Sequence, residues 1–453
     1  MGYGAVIVQQ CLTIIEKRAI KQVLVCWSCL LLCSLTSQEV FMYLYLALGV
    51  MFLVLSSKEC DVLMLFSLVS FGNIVSIAPN YSVSLSWVFS IVFIIKYFFG
   101  KFKIYKGSFV LYLLFAAYMV MGLKPGLEGF LSDIKTIINY LLLLLLIYEC
   151  KNTDHNKAFD FYIVGHLLSI ILSFPVRISP RFAPLISQAF TETSVFNALR
   201  FTGIDFDTNF FSANCAFIIS ILLFYFANRS RDDFPLRRMR IVLLIYIVFG
   251  ILTFSKTFMI DLLVIVLVYF SSNLSRKFAN MILTVVLVVV GFYIVDTVTN
   301  GMLFNAIFGR FFETATNIDT LTTGRFHIWK AYMDDWKSSS HNIWFGVGMA
   351  NKKLRYLNKM HHQTYIEILY QFGIVGSILF TLYVVSLFRI GKDEDKAFDS
   401  HSRFLGLISI AMCGLTLGQF AFDHTIFQLV LSILMVGGCM WKDQMSYIGH
   451  RMD

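Results

Sequence analysis

The sequence predicts an all-α polytopic membrane protein with about 14 transmembrane helices, within a range of roughly 12 to 14. Of its 453 residues, 58% are hydrophobic and only 14% are charged, whereas a soluble domain carries roughly 25% charged residues. Apolar runs near the ~20 residues that cross a bilayer recur along the chain, and the basic residues cluster on alternate connections. We expect residues 1–453 to form a single membrane domain.

Polar gaps divide the apolar runs into fourteen candidate spans. We predict them near residues 22–36, 40–57, 61–78, 83–100, 107–122, 131–149, 159–175, 208–227, 241–254, 257–272, 279–296, 364–388, 404–420 and 424–441.

The distribution of charge predicts the topology. With a cytoplasmic N-terminus, the short outer connections and their margins hold only Lys124, Lys135 and Lys256. The inner connections hold most of the remaining basic residues, including Lys17, Arg18, Lys21, Lys96, Lys101, Lys103, Lys151, Arg229, Arg231, Arg237, Arg238, Arg240, Arg276 and Arg389. This positive-inside asymmetry places both termini in the cytoplasm. It also explains much of the +9 net charge without a nucleic-acid partner, and we expect none.

Two connections on the outer side are long, at residues 176–206 and 297–363. The larger one interleaves aromatic and charged residues, and its segment RFHIWKAYMDDW, which begins at Arg325, predicts amphipathic helices on the membrane surface or over a cavity. Basic residues outnumber acidic ones in this loop. Membrane anchoring and binding of an anionic substrate both explain that excess.

Four short motifs follow one another on the predicted outer side. They are Arg200-Phe-Thr-Gly203 with Asp207-Thr-Asn209, then Leu252-Thr-Phe-Ser255-Lys256-Thr257, then Thr323-Gly324-Arg325 with Trp329 and Gly346-Val-Gly348, and finally HHQTYIEILYQFGIVG from His361 to Gly376. The glycines at 346 and 348 favour a tight turn or a close approach to sugar. They do not form a nucleotide-binding loop, because no Lys-Ser/Thr follows and no strand precedes.

Over residues 200–380 this ordered set resembles the O-antigen ligase/polymerase superfamily, whose pattern runs RxxGxxxxxN, LTxSR, GRxxxW…GxG and HNxYLxxLxxxGxxG. Lys256 stands where the pattern has Arg, so the charge is kept but the bidentate fork is lost. Gln363 stands where the pattern has Asn, with a longer amide. The resemblance implies a GT-C-like membrane fold and transfer of a glycan from undecaprenyl diphosphate.

Such a transfer needs cations around the diphosphate. Arg grips two phosphate oxygens with its planar guanidinium, so Arg200 and Arg325 are the first candidates, followed by Lys256 and then Arg310. The alternative for each is a cation that snorkels to the interface. Asn209 and Trp329 complete the substrate-binding candidates in the first three motifs.

By the same resemblance, His362 is the candidate catalytic residue, as a general base or hydrogen-bond acceptor for the acceptor hydroxyl. His361 is its possible substitute, and an ordinary interfacial His is the alternative. Gln363, Tyr365 and Glu367 are expected to shape the pocket. A carboxylate just inside a span indicates a functional site, and Glu367 could hold Gln363 or meet Arg325.

No cofactor is expected, because the sequence carries neither a metal-ligand cluster nor a nucleotide motif. Asp261, one turn into a span, is expected to pair with a nearby cation. The resemblance implies a polymerase at the periplasmic face of the bacterial inner membrane that acts on undecaprenyl-diphosphate-linked oligosaccharide, with membrane lipid around it and a chain-length regulator left open as a partner. A ligase acting on lipid A-core is the nearest alternative. A lipid-linked oligosaccharide flippase is the alternative from another class.

Overall fold

The computed structural model describes residues 14–72, 86–100, 103–122, 127–152, 155–180, 200–205, 207–228, 236–271, 274–301, 304, 325–349, 362–391, 401–415, 417 and 424–437. Of these residues, 88% are helical and none lies in a strand. The predicted all-α membrane class is confirmed. The contacts divide the chain into two compact units, Met1–Phe102 with Asp160–Ile186 and Lys103–Phe159 with Ser187–Asp453.

Sixteen α-helices and one short 3-10 helix cover the described residues. They are α1 Ile14–Thr36, α2 Val40–Leu55, α3 Lys58–Gly72, α4 Ser86–Phe99, α5 Lys106–Met121, α6 Leu127–Asn152, α7 His155–Ile178, α8 Thr208–Asn228, α9 Leu236–Leu252, α10 Lys256–Ser271, α11 Leu274–Val298, α12 Arg325–Lys337, α13 Ser340–Phe345, α14 Thr364–Gly391, the 3-10 helix Ser402–Phe404, α15 Leu405–Gly414 and α16 His424–Gly437.

Four stretches of helix are long and apolar enough to cross a bilayer by themselves. Among the described residues they are Lys17–Thr36, Lys157–Ile178, Thr208–Asn228 and Thr364–Gly391. Shorter apolar helices coincide in sequence with other predicted spans, for example at Val40–Leu55, Lys106–Met121 and Val285–Val298. The count of about 14 crossings and the sides of the two long loops stay predictions.

The first unit is built by α1 to α4 and most of α7. Within it, α1 packs on α2 and α3, and α4 packs on both of these. Helices α3 and α7 approach closely because α7 has no side chain at Gly165, where a Cβ would lie 2.7 Å from the Cα of Ser67. The Ser67 hydroxyl donates a hydrogen bond to the Phe161 carbonyl (2.9 Å) at the same crossing. Small residues at helix crossings are the usual device for close packing inside a membrane.

The second unit is centred on α8. This helix is apolar on nearly all sides and is buried from Phe211 to Tyr225, as expected of a helix surrounded by other helices. It packs against α9, α10 and α15, while α14 packs against α5, α6 and α16. All of the described motif residues belong to this unit.

Candidate functional site

The first motif runs alongside the second. The backbone N–H of Phe201 donates to the carbonyl of Leu252 (2.9 Å) at the end of α9. The Nε of Arg200 donates to the carbonyl of Thr253 (2.9 Å). Two segments 53 residues apart in the chain are therefore joined at the position where the second motif turns between α9 and α10.

That turn is tight and internally bonded. Phe254 has φ of +50°, a left-handed conformation that is uncommon for a residue with a bulky side chain. The Thr253 hydroxyl donates to the Gly250 carbonyl (2.6 Å) and accepts from the Ser255 N–H (3.2 Å). These bonds hold the strained turn, and such strain recurs at functional sites.

Asn209 connects the start of α8 to this turn. The Asp207 carboxylate caps α8 by accepting from the Asn209 N–H (2.7 Å), which satisfies one of the unpaired donors at a helix N-terminus. The Asn209 side-chain oxygen in turn accepts from the Ser255 hydroxyl (3.3 Å). Lys256, the next residue, is half-buried as the first residue of α10.

Arg325 is the first residue of α12 and is half-buried. Burial lowers the pKa of its guanidinium, while the negative charge of Asp207 acts in the opposite direction. The carboxylate that caps α8 therefore acts electrostatically on Arg325. Arg200, Asn209 and Lys256 belong to segments that are joined at the start of α8, and Arg325 is near enough for the charge of Asp207 to act on it.

Helix α12 packs against α14. Ile328 and Tyr332, one turn apart on α12, form a buried apolar cluster with Tyr370 of α14. The Tyr332 and Tyr370 rings meet edge to face with centroids 4.8 Å apart, and the Tyr370 hydroxyl donates to the Asp335 carboxylate (2.5 Å). Trp329 lies one turn after Arg325 on this docked helix and is half-buried.

His362 and the residues after it form the head of α14. His362 is exposed and has φ of +49°, which fixes an unusual direction of entry into the helix. The Gln363 side-chain oxygen caps α14 by accepting from the Ile366 N–H (2.8 Å). The Tyr365 hydroxyl donates to the Ala411 carbonyl (2.8 Å). Gln363 and Tyr365 thus make hydrogen bonds within the protein at the start of α14.

Glu367 is buried one turn further along α14. Its carboxylate accepts a hydrogen bond from the Gln371 amide (3.1 Å), and its backbone N–H donates to the Gln363 carbonyl (3.1 Å). The side-chain hydrogen bond of Glu367 is therefore made with Gln371, one turn further along the helix. Gln363 lies one turn in the opposite direction, and its amide oxygen caps α14.

Helix α14 is interrupted at Gly373, where φ is +59° and ψ is −167°. The Gly346-Val-Gly348 loop lies against the interruption. The N–H groups of Val347 and Gly348 donate to the carbonyls of Tyr370 (2.9 Å) and Gln371 (3.0 Å), so carbonyls next to the break in the helical pattern are satisfied. A Cβ at Gly346 would overlap the Gln371 carbonyl, and one at Gly373 would lie 2.6 Å from Trp344 backbone atoms. The close approach at Gly346 is thus between two backbone segments, and an approach of sugar to these glycines stays a prediction.

A series of buried side-chain hydrogen bonds, which was not predicted from the sequence, supports the first motif. Asn214 of α8 donates to the Asp205 carboxylate (3.0 Å), and the Gln428 amide of α16 donates to Asn214. The only signal in the sequence is an amide within each of two apolar runs.

Asp261 differs from expectation. It was expected to pair with a cation, but its carboxylate accepts hydrogen bonds from Ser409 (3.1 Å) and Cys413 (3.2 Å). The reason is that α10 packs on α15, which presents small polar side chains at that crossing. Arg310 and His361 lie outside the described residues.

The fold and these segments define an α-helical membrane protein with cationic and amide side chains gathered at helix ends. Residues 241–381 match the family model described as O-antigen ligase. This match confirms the resemblance to the O-antigen ligase/polymerase superfamily that the motifs indicated. It covers the second, third and fourth motifs and leaves Arg200 and Asn209 outside. No curated protein and no solved structure matches the chain.

Proposed function

We propose that the protein is a surface polysaccharide polymerase of the O-antigen type, with its site on the periplasmic face of the bacterial inner membrane. It transfers a growing glycan from undecaprenyl diphosphate onto a lipid-linked repeat unit. The observation that supports this proposal is the junction at the start of α8, where the segments bearing Arg200 and Lys256 are joined and Asp207 acts electrostatically on Arg325.

The cations at this junction suit a diphosphate. The Nε of Arg200 donates to the Thr253 carbonyl, and this bond fixes the plane of the guanidinium, whose terminal N–H groups lie side by side. Paired N–H groups are the donors that grip phosphate oxygens in a bidentate manner. Arg325 and Lys256 add two further charges from the first residues of two helices.

The proposed reaction is a substitution at the anomeric carbon of the growing glycan. The acceptor hydroxyl oxygen forms a bond to that carbon, and the bond between the carbon and the diphosphate oxygen breaks. The hydroxyl proton goes to the His362 imidazole, and undecaprenyl diphosphate leaves with the bonding electron pair. Arg200, Arg325 and Lys256 stabilise the negative charge that develops on the leaving oxygen.

The second candidate function is ligation of the glycan to lipid A-core. The description of the matching family as O-antigen ligase favours it. Both reactions use the same donor and the same cations, so they differ in the acceptor. The large number of predicted spans and the departure of Gln363 from the family pattern favour the polymerase.

The test is a gel of surface polysaccharide from cells whose only copy of the gene encodes wild type, Arg325→Ala or His362→Ala. We expect a ladder from wild type and core carrying a single repeat from both variants, because loss of a charge-stabilising donor or of a general base costs roughly a hundredfold or more in rate. Arg240→Ala and His401→Ala change exposed residues at other places and serve as matched controls that keep the ladder.

Two other results would contradict this proposal. Bare core with accumulating lipid-linked polymer in the two variants identifies a ligase. A ladder that survives both substitutions, at wild-type amounts of membrane-inserted protein, rejects the assignment of Arg325 and His362 to the site.

A further inference from the structure

A cavity of about 630 Å³ lies beside the interruption of α14. It is bounded by the end of α5, by α13 with the following Gly346-Val-Gly348 loop, and by Gln371 and Phe372 of α14. Its volume is within the ~300–1,000 Å³ of small-molecule sites. None of the proposed diphosphate ligands or His362 lines it, so the cavity is separate from the groups assigned to the reaction.

The boundary of the cavity is held by the protein itself. The Tyr118 hydroxyl lies 2.7 Å from the Phe345 carbonyl and 2.8 Å from the Phe372 carbonyl, so its single O–H is shared between the two acceptors. One side chain of α5 thus joins the end of α13 to the interruption of α14. Because backbone bonds from the Gly346-Val-Gly348 loop reach the same interruption, the cavity has a built frame and does not depend on a ligand to form.

The lining offers rings and amides. Tyr118, Phe345 and Phe372 supply aromatic rings, and Asn342 and Gln371 supply amides. The bond from the Gln371 amide nitrogen to the buried Glu367 carboxylate (3.1 Å) sets the orientation of that amide, and its carbonyl oxygen remains as an acceptor. Glu367 thereby acts on the cavity through Gln371.

Among the residues that the structure describes, no Lys, Arg, Asp or Glu side chain lines this cavity. A diphosphate needs cations to leave water, and these lining residues supply none. A sugar suits the cavity, because apolar C–H faces pack on rings while hydroxyl groups bond to amides.

We propose that this cavity is a saccharide subsite that takes uncharged sugar residues of the glycan on the acceptor side of the reaction. The proposal rests on the proposed function, since lipid-linked glycan is the substrate class considered. In this arrangement the diphosphate lies at Arg200 and Arg325, the reactive hydroxyl lies at His362, and acceptor sugars further from that hydroxyl are held by the rings and by Gln371.

The test uses the full chain in lipid nanodiscs, with the exposed lining residue His341 changed to Cys as a reporter. The rate at which a maleimide labels His341→Cys is measured with three probes. They are the oligosaccharide released by mild acid from the cells' own lipid-linked repeat units, inorganic diphosphate, and undecaprenyl phosphate in the nanodisc. Wild type supplies the background, since its seven described cysteines are buried.

We expect the oligosaccharide alone to slow labelling. Phe345→Leu in the reporter background removes a lining ring that is 50% exposed, so half-protection is expected to need a roughly three- to tenfold higher oligosaccharide concentration. Phe99→Leu, which changes an exposed ring outside the lining, should leave this concentration unchanged.

Two results overturn the subsite. One is labelling that saturating oligosaccharide does not slow, and the other is protection by undecaprenyl phosphate alone, which would assign the cavity to the lipid chain. Either result leaves the proposed function intact if wild type still gives its ladder. Absence of that ladder rejects the polymerase even if the oligosaccharide protects His341→Cys.

Discussion

The hydroxyl of Tyr370 donates a 2.5 Å hydrogen bond to the carboxylate of Asp335, and this bond joins α14 to α12, the helix that begins with Arg325. The two residues are 35 positions apart; Tyr370 belongs to the fourth motif, and Asp335 lies between the two parts of the third. The position of the candidate diphosphate ligand thus depends on a contact at the other end of its own helix.

Removal of this bond is expected to loosen α12. Asp335→Ala leaves the Tyr370 hydroxyl without its charged acceptor, and hydrogen bonds to charged groups contribute about 1.5–3 kcal/mol. We expect faster hydrogen exchange of the α12 amides in nanodiscs and a slower transfer reaction. Asp334→Ala, which changes the exposed neighbouring carboxylate, is the matched control. Equal exchange rates in the two variants would show that Asp335 does not hold α12.

Arg200 is expected to need its planar fork as well as its charge. Arg200→Lys keeps the charge but cannot bond the Thr253 carbonyl and present two further N–H groups together. We expect the rate of repeat-unit consumption by purified protein to fall on the order of ten- to a hundredfold, close to the effect of Arg200→Ala. Arg240→Lys is the control for the same change at an exposed position. A rate for Arg200→Lys near that of wild type would assign Arg200 the role of a point charge only.

The two glycines that meet at the interruption of α14 are expected to tolerate no side chain. Alanine at Gly346 or Gly373 combines a positive φ, which costs about 1–3 kcal/mol, with overlap against backbone atoms. We expect a large fall in the thermal midpoint of both variants, measured at one scan rate in detergent.

Two other glycines separate the causes of that effect. Gly301 has φ of +75° and nothing within 4 Å of its added Cβ, so Gly301→Ala reports the conformational cost alone. Gly107 also has open space around its added Cβ and its φ is not positive, so Gly107→Ala should be neutral. If Gly346→Ala lowers the midpoint no more than Gly301→Ala does, the backbone contact between Gly346 and α14 contributes little to stability.

Asn209 and Ser255 are expected to act as a pair. Their side chains share one hydrogen bond of 3.3 Å between the start of α8 and the α9–α10 turn. A double-mutant cycle with Asn209→Ala and Ser255→Ala, scored on the rate of transfer, should give a coupling energy of about 0.5–1.5 kcal/mol. The cycle of Asn209→Ala with the exposed Ser271→Ala should give none. Additive effects of the first pair would mean that the bond does not contribute to the reaction.

The sequence was sufficient for the features that depend on local pattern. Apolar runs predicted where the long helices lie, because span length and hydropathy are properties of one segment at a time. The segment that begins at Arg325 forms a helix whose buried residues Ile328 and Tyr332 lie one turn apart. The ordered motifs predict that Arg200 and Arg325 share one candidate site, and this stays a prediction.

The remaining features depend on contacts between distant segments. Nothing in the local pattern around Gln363 shows that its amide oxygen caps α14, or that Tyr365 bonds to Ala411 on α15. The expected partners of Glu367 were Gln363 and Arg325, but its carboxylate accepts a hydrogen bond from Gln371, four residues further on. The interruption at Gly373 was not predicted either, because the N–H groups that donate to the nearby carbonyls of α14 come from Val347 and Gly348 in a separate loop.

The chain from Asp205 through Asn214 to Gln428 has a consequence for biogenesis. Gln428 belongs to α16, which leaves the ribosome after all the other described helices. Until α16 is inserted, the Asn214 amide lacks this bond, and the turn that follows Arg200 is supported from one side only. We therefore expect a nascent chain that has not yet delivered α16 to hold an unfinished site, so that competence for transfer begins only when synthesis has passed Gln428.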